Sequence, residues 1–400
     1  MSHVQAKSKR FAPMQNNRTM VSSRTASEPI RVLHVIDKLG VGGSSIHGIT
    51  RVLGWWIPRF DTDQFQISVC SLRAPEPAGE VLRTENIPVF YLSKGKFDPR
   101  TLTELLNLIK RERPHILHLH GFGATNFGRI AGRIAGVPNI VHEHVVFLKQ
   151  PGYQTVADML LAPLTTRAIA ISNPVRDYMI ATRKVKPGTL DTFFYGLPLS
   201  EFQASAPHIL QEKRQQLGLA PTDRVVCNVG RLDTQKGQVY LVKAAAAILE
   251  AVPEARILLV GDGPDQAMLK TVAAQEGIAD KIIFPGYRSD VADMLAISDI
   301  IAIPSLWEGG PITLFEAMQL GKPVIGTPAG IMPEVIREGE TGFVVPFKDS
   351  TALAEKTIHL LQNPAIAQAM GQAGWNVCQE YDISKSVQRL SDIYQEMVKA

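Results

Sequence analysis

Two glutamates, Glu308 and Glu316, stand eight residues apart in SLWEGGPITLFEAMQLGKPVIGTPAG (residues 305–330), and Gly309, Gly310 and Pro311 follow the first of them. An apolar run before them reads as a strand and LFEAMQL reads as a helix. The glycines therefore fall at a helix start, where free backbone N–H groups and the helix dipole favour an anion. One carboxylate sits at the loop mouth and the other inside the helix. The pattern suits a ligand with a phosphate in the middle and hydroxyl-bearing rings on both sides, as in a sugar nucleotide. The competing reading is a glutamate that complements the helix dipole and a second, solvated one.

A second cluster supplies the counter-charge. In GRLDTQKG (residues 230–237), Arg231 and Lys236 follow the strand-like VVCNVG. Two cations on one loop suit a diphosphate: the guanidinium binds two oxygens and the ammonium acts as a point charge. Two solvated surface charges would be the plain alternative, but an apolar helix should open at Lys236. LGVGG (residues 39–43) puts Gly42 and Gly43 on a strand-to-helix turn, though the full dinucleotide fingerprint is missing. VGDGP (260–264) reads as a structural turn with Pro264 starting the next helix, and FPGYRSD (284–290) puts Tyr287 and Arg288 where they can border a base.

The histidines alternate in HILHLH and NIVHEH, so His118 and His120, like His142 and His144, share a strand face. No carboxylate or cysteine cluster joins them, and no metal is expected. One strand-end histidine in a cleft, hydrogen bonding a sugar, is the preferred reading, with His120 a candidate for contact to the acceptor or the transferred sugar.

These residues need strands and helices to hold them. RVLHVI, FQISVCSL, PVFYL, HILHLH, NIVHEH and RAIAIS read as strands separated by the amphipathic helices TLTELLNLIKRE and ATNFGRIAGRIAG. Prolines and polar residues break the pattern near 198–221. The alternation then restarts with VVCNVG, ARILLVG, KIIFPG, IIAIPS, PVIGT and TGFVVPF, and two or three helices follow Thr351. The fold class is α/β: two doubly wound, Rossmann-like sheets, with ligands at the carboxyl ends of the strands. The expected division is a basic tail (1–29), a first domain (30–200), a linker (201–222), a second domain (223–380) and a C-terminal helix (381–400) reaching back to the first domain.

With 400 residues, two cores are the default. The net charge of +4 resides in the tail: residues 1–28 hold five bases and one acid, and the remainder holds 37 of each sign. Nucleic acid is therefore not an expected partner. The tail reads as a solvated arm without the apolar stretch of a secretory signal, and its charge suits an acidic membrane surface. The three cysteines are scattered, which fits a reducing cytoplasm. The apolar VADMLLAPLTTRAIA (156–170) fits either a buried helix or contact with a lipid-linked acceptor.

Taken in order, LGVGG, HLHGF, NIVHEH, AISNPVRDYM, GRLDTQKG, LLVGDGP and EGGPITLFEAMQLGKPVIGTPAGIMPEVI resemble the retaining glycosyltransferases of family 4, of GT-B fold, over roughly residues 30 to 380. The resemblance implies two facing Rossmann-like domains, and transfer of a sugar from a nucleotide diphosphate donor to an acceptor hydroxyl with retention. The setting it implies is polysaccharide or glycolipid assembly, with a glycan or lipid-linked acceptor. UDP is the expected nucleotide, on family frequency. It implies that Arg231 and Lys236 clamp the diphosphate and that Gly309 and Gly310 give amides to the phosphate or sugar. Glu316 would take the ribose hydroxyls and Glu308 would face the transferred sugar. His144 would stand near the reaction centre, and Gly43, beside Gly42, would cover the phosphates. Arg288 joins the expected nucleotide-sugar contacts. No cofactor and no obligatory divalent metal is implied, and the expected location is the cytoplasm, peripheral to a membrane. Three positions depart from the pattern: Ser44 after the glycines, Tyr195 before Gly196, and Pro311 in the loop. Two other functions compete, a binding or scaffold subunit without transfer and a nucleotide-sugar epimerase of similar fold.

Overall fold

The computed structural model describes residues 28–41, 45–46, 48–147 and 150–399. Residues 1–27 of the tail, Gly42 and Gly43 lie outside the described residues. The first unit is built on β1 (Ile30–Ile36), β4 (Phe65–Ser71), β5 (Val89–Tyr91), β6 (Ile116–His120), β7 (Asn139–Glu143), β8 (Arg167–Ala170) and β9 (Leu190–Thr192), with a small hairpin of β2 (Gly40–Val41) and β3 (Ser45–Ile46) after β1. Its sheet runs β5-β4-β1-β6-β7-β8-β9 and is parallel throughout. Parallel strands covered by helices on both faces are buried on both faces, which is why β6 and β7 are buried at every residue.

The second unit repeats the scheme with β10 (Arg224–Val229), β11 (Ala255–Val260), β12 (Ile282–Gly286), β13 (Ile300–Ile303), β14 (Val324–Gly326) and β15 (Gly342–Val344), in the order β12-β11-β10-β13-β14-β15. The order reverses between β1 and β6 in the first sheet and between β10 and β13 in the second. These are the crevices where such sheets bind ligands. Buried apolar side chains form one continuous cluster from the first sheet through Ile171, Phe194 and Phe315 onto one face of the second. Phe194 stacks on Phe315 at 4.3 Å, and Phe315 meets Tyr381 at 4.7 Å.

Local chemistry sets the helix ends. Ser172 caps the helix Asn173–Ala181 by accepting from the Val175 amide at 3.4 Å, with Pro174 in its first turn. Asp349 caps Ser350–Gln362 through the Ala352 amide at 2.9 Å. The last helix, Ile383–Lys399, buries Val387, Leu390, Ile393 and Tyr394 on one stripe and packs against β1 and β6 of the first sheet. Tyr394 stacks on Phe60 at 5.8 Å, and Arg389 reaches Asp191 at 2.5 Å.

Several sequence expectations need correction. The segment 201–222 contains a helix, Pro207–Gln216, so it is more than a linker. Strand β9 and the β2–β3 hairpin escaped the periodicity reading because three- and two-residue strands carry no period. Lys236 ends a 3-10 turn, Thr234–Lys236, and the helix opens at Gln238 after Gly237. The helix after Pro264 starts at Gln266. The helix Gly152–Leu161 is not a core helix: Val156, Met159 and Leu160 are 56%, 61% and 71% exposed. No helix among the described residues is long and apolar enough to cross a membrane.

Candidate active site

Strand β13 delivers Pro304 and Ser305 to the crevice, and the loop after them turns into the helix Ile312–Gln319. Glu308 on this loop is buried. Its Oε1 accepts from the Lys236 ammonium at 2.6 Å and from the Ser305 hydroxyl at 2.9 Å. Lys236 comes from the neighbouring loop after β10. Asp233 holds that turn by accepting from the Lys236 amide at 3.3 Å. Gly237 then takes φ +65°, in the left-handed region, and a Cβ there would lie 2.1 Å from the Pro304 carbonyl. Two hydrogen bonds lace the loops together: Leu306 N–H donates to Gln235 O at 2.7 Å, and the Gln235 side-chain amide donates to Trp307 O at 3.0 Å.

Arg231 belongs to the same loop. Its side chain is exposed, 3.5 Å from Asp233, while its carbonyl is held by Gln238 at 2.9 Å. The Gly-Asp-Gly turn serves as scaffold: a Cβ at Gly263 would meet the Leu232 carbonyl at 2.1 Å, and Leu232 N–H donates to Asp262 O at 2.9 Å. Arg288 is engaged by both oxygens of Asp290, at 2.8 and 2.6 Å, and Lys213 shares that carboxylate.

Gly309 and Gly310 meet the first domain directly. A Cβ on Gly309 would lie 1.8 Å from the His144 carbonyl oxygen, and one on Gly310 would lie 2.5 Å from the Phe194 ring. The Tyr195 hydroxyl donates to Gly310 O at 2.5 Å. His144 follows β7 and is therefore brought against the loop that carries Glu308. Its amide donates to the Glu143 carboxylate at 3.0 Å. Glu143 is itself buried against Arg183, which also bonds Asp158 at 2.9 Å. Burial pushes the Glu143 carboxyl up, and Arg183 opposes that.

Glu316 lies inside the helix and is buried. Its Oε1 is 3.4 Å from Arg51, which reaches across from the first domain, and it has no hydrogen bond. Burial pushes this carboxyl above the usual glutamate range, with Arg51 pulling it back. A buried carboxylate oxygen left without a donor is a group awaiting a partner. His120 is buried too, and its two ring nitrogens lie 3.0 and 2.9 Å from His34 and His144. It cannot reach a sugar without giving up a ring contact, so direct sugar contact is withdrawn.

Thus the structure gathers Lys236, Glu308, Gly309, Gly310 and His144 into one cluster, with Arg231 on the same loop as Lys236. Arg288 is engaged in an ion pair of its own. The sequence reading missed Arg51, the Arg183 network and Tyr394, because nothing local marks a residue whose partner lies on another element. It also missed Asp37, which accepts from the Gly123 and Ala124 amides at 3.0 and 2.6 Å and so occupies the N-terminus of the helix Phe122–Ala135. A groove of about 780 Å³ beside Leu210, Arg214, Arg224 and Asp299 opens at the opposite, N-terminal, ends of the strands.

The comparisons with known proteins agree with this arrangement. Residues 46–200 match the model of Glycosyltransferase Family 4, and residues 210–377 match that of Glycosyl transferases group 1. The chain is 28% identical over 311 residues to the UDP-Gal:alpha-D-GlcNAc-diphosphoundecaprenol alpha-1,3-galactosyltransferase of Escherichia coli, covering 75% of this chain and 80% of that one. It is 30% identical over 191 residues to the N-acetyl-alpha-D-glucosaminyl L-malate synthase of Bacillus anthracis, covering 48% and 50%. The crystal structure of Anabaena HepE in complex with UDP superposes with a TM-score of 0.80 at 21% identity, over 92% of this chain and all of that one. With both halves matched in order and the fold shared along its length, the chain belongs to the glycosyltransferases of GT-B fold, family 4 in its first domain and group 1 in its second.

Proposed function

We propose that this enzyme transfers a glycosyl group from a nucleoside diphosphate sugar, with UDP as the nucleotide, to a hydroxyl of a glycan or lipid-linked acceptor, with retention of configuration. The observation that carries this reading is the Lys236–Glu308 pair at 2.6 Å beside Gly309 and Gly310, at the crevice between β10 and β13 and against His144. In the reaction the bond from the anomeric carbon to the phosphate oxygen breaks. The acceptor oxygen bonds to the same face of that carbon. The acceptor proton passes to the departing phosphate. Lys236 and Arg231 stabilise the charge that develops on the leaving diphosphate, a preorganised electrostatic contribution. Glu308, fixed by Lys236 and Ser305, orients the sugar. Glu316 takes the ribose hydroxyls with its undonated oxygen. His144 stands on the sugar side. No divalent metal has a role in this scheme.

The Escherichia coli relative is named for a UDP-sugar donor and a diphosphoundecaprenol acceptor, which supports UDP and a lipid-linked acceptor here. The exposed Val156, Met159 and Leu160 give the first domain an apolar surface suited to such an acceptor. Polysaccharide or glycolipid assembly, at the cytoplasmic side of a membrane, is the corresponding setting.

The test is a thermal-shift screen against nucleotides and nucleotide sugars, followed by turnover. A ligand at a hundred times its dissociation constant adds about 2.7 kcal/mol of stability. UDP or a UDP-sugar is expected to raise the melting temperature, and Lys236→Ala is expected to lower kcat by about 10²- to 10³-fold. Absence of a shift with every nucleotide, or unchanged turnover in Lys236→Ala, overturns the assignment.

A further inference from the structure

The helix Gly152–Leu161 is amphipathic in the sense opposite to that of an ordinary surface helix. Gln154 and Asp158, four residues apart, are buried, and Asp158 is the charged residue of this helix. On the opposite side Tyr153, Val156, Met159 and Leu160 are all exposed. The buried side has an evident duty. Asp158 accepts from Arg129 at 2.8 Å and from Arg183 at 2.9 Å, and Gln154 donates to Asn126 at 3.2 Å. Arg183 in turn holds the Glu143 carboxylate that accepts from the His144 amide. The apolar side has no such duty inside the first domain.

A second segment extends the patch. Phe97, 67% exposed, meets Tyr153 edge-on at 5.4 Å, and the Lys96 ammonium lies 5.3 and 5.6 Å from the centroids of these two rings. Asp98, the acidic neighbour of Phe97, is engaged by Arg100 at 2.7 Å, so the cation of Lys96 sets the local charge. The helix follows the carboxyl end of β7 and the Phe97 segment follows that of β5. The patch therefore begins at the rim that carries His144 and runs about 10 Å along the helix, from Tyr153 to Leu160. Aliphatic side chains beside exposed aromatic rings and a lysine are the composition of a membrane-interface element. The rings sit at headgroup level, and the long cation reaches the phosphates while its stem stays on apolar ground. A stable interface with a second folded chain takes about 20–30 residues a side. The apolar side chains here, Phe97, Tyr153, Val156, Met159 and Leu160, fall well short of that.

We propose that Tyr153, Val156, Met159 and Leu160, with Phe97 and Lys96, form a face that docks the first domain on an anionic lipid bilayer. The helix stripe enters the boundary of the acyl chains, and Lys96 meets the headgroup phosphates. The proposal deepens the functional reading and rests on its lipid-linked acceptor. Docking at this face brings the cleft rim and His144 to the bilayer surface, where the head group of such an acceptor lies. Both sides of the helix are then accounted for: the buried side serves the strand end at His144, and the exposed side serves the lipid.

The experiment is sedimentation of the full chain with lipid vesicles, without nucleotide. Vesicles of phosphatidylglycerol and phosphatidylcholine are expected to carry the protein down, and vesicles of phosphatidylcholine alone to carry down less of it. Leu160→Glu is expected to weaken binding about tenfold or more, and Lys96→Gln about fivefold. Ile366→Glu, the same kind of change at an exposed position of the second domain, is expected to leave binding unchanged. A polarity-sensitive fluorophore on Met159→Cys is expected to shift to the blue on the vesicles, the native Cys70, Cys227 and Cys378 being buried. Full binding by Leu160→Glu, or no blue shift at position 159, would assign the attachment to the basic tail and overturn the proposal. So would absence of vesicle binding, or a protein dimer that Leu160→Glu dissociates. An unchanged melting temperature checks that Leu160→Glu folds; should it not, Val156→Glu and the label at position 159 still decide. Sedimentation needs no nucleotide. Failure to turn over any nucleotide sugar would overturn the functional reading and leave vesicle binding in place, whereas loss of vesicle binding with donor turnover intact would overturn this proposal alone.

Discussion

At Gly309 two loops from different sheets meet with no room for a side chain. The added Cβ would collide with backbone, the His144 carbonyl, which cannot rotate away as a flexible side chain can. Gly309→Ala is therefore expected to cost about 1–3 kcal/mol of stability through overpacking. It should lower turnover further, because the shift falls between Glu308 and His144. Gly152, which has nothing within 4 Å of its built Cβ, is the control: Gly152→Ala should change stability by no more than about 0.5 kcal/mol. Urea denaturation of the two variants checks this, and equal effects would remove the close approach as the cause. The glycine pair was legible in the sequence as a helix start suited to an anion. Its second duty, letting the domains touch, was not, since the partner carbonyl lies more than 160 residues away in the chain.

At the scale of elements, the last helix follows the second domain in sequence and belongs to the first in space. Its amphipathic stripe Val387, Leu390, Ile393 and Tyr394 is buried against the first sheet, each such side chain contributing about 1.5–3 kcal/mol. Leu390→Ala should cost about 2–5 kcal/mol, and hydrogen exchange should quicken in β1 and β6 and not in β10. Gln388→Ala, on the exposed side of the same helix, should leave exchange unchanged. Faster exchange confined to the second sheet would contradict the packing. The long strands and helices were legible because apolar period and length agree over many residues. The helix inside 201–222 was not, since none of its residues is fully buried.

For the whole molecule, the buried histidines of the first sheet imply a definite pH dependence. His34, His118 and His142 face one another, His120, His144, Tyr394 and the Trp56 ring. Burial lowers the pKa of all three in the folded state. The unfolded chain takes up protons below about 6.5 while the folded one does not, so it binds more protons in that window and stability falls as pH falls. The slope approaches about 1.4 kcal/mol per pH unit for each ring. Urea midpoints should therefore drop between pH 7.5 and 5.5, and less steeply in His34→Gln. A midpoint independent of pH would show that the rings protonate without unfolding.

The sequence by itself determined the two doubly wound sheets and the family. It also brought out the loop residues Arg231, Lys236, Glu308, Gly309 and Gly310, because each sits in a short motif whose meaning is local: a turn, a helix start, a strand end. Only the tertiary structure decided how these residues pair across elements. It set Lys236 on Glu308, closed Gly309 onto His144, put Arg51 beside the undonated oxygen of Glu316, and threaded Tyr394 between His34 and His118. It also withdrew His120 from the sugar and placed it behind His144. The reason is physical: a hydrogen bond needs its partners within about 3 Å, and only the folded sheet brings side chains from distant strands that close.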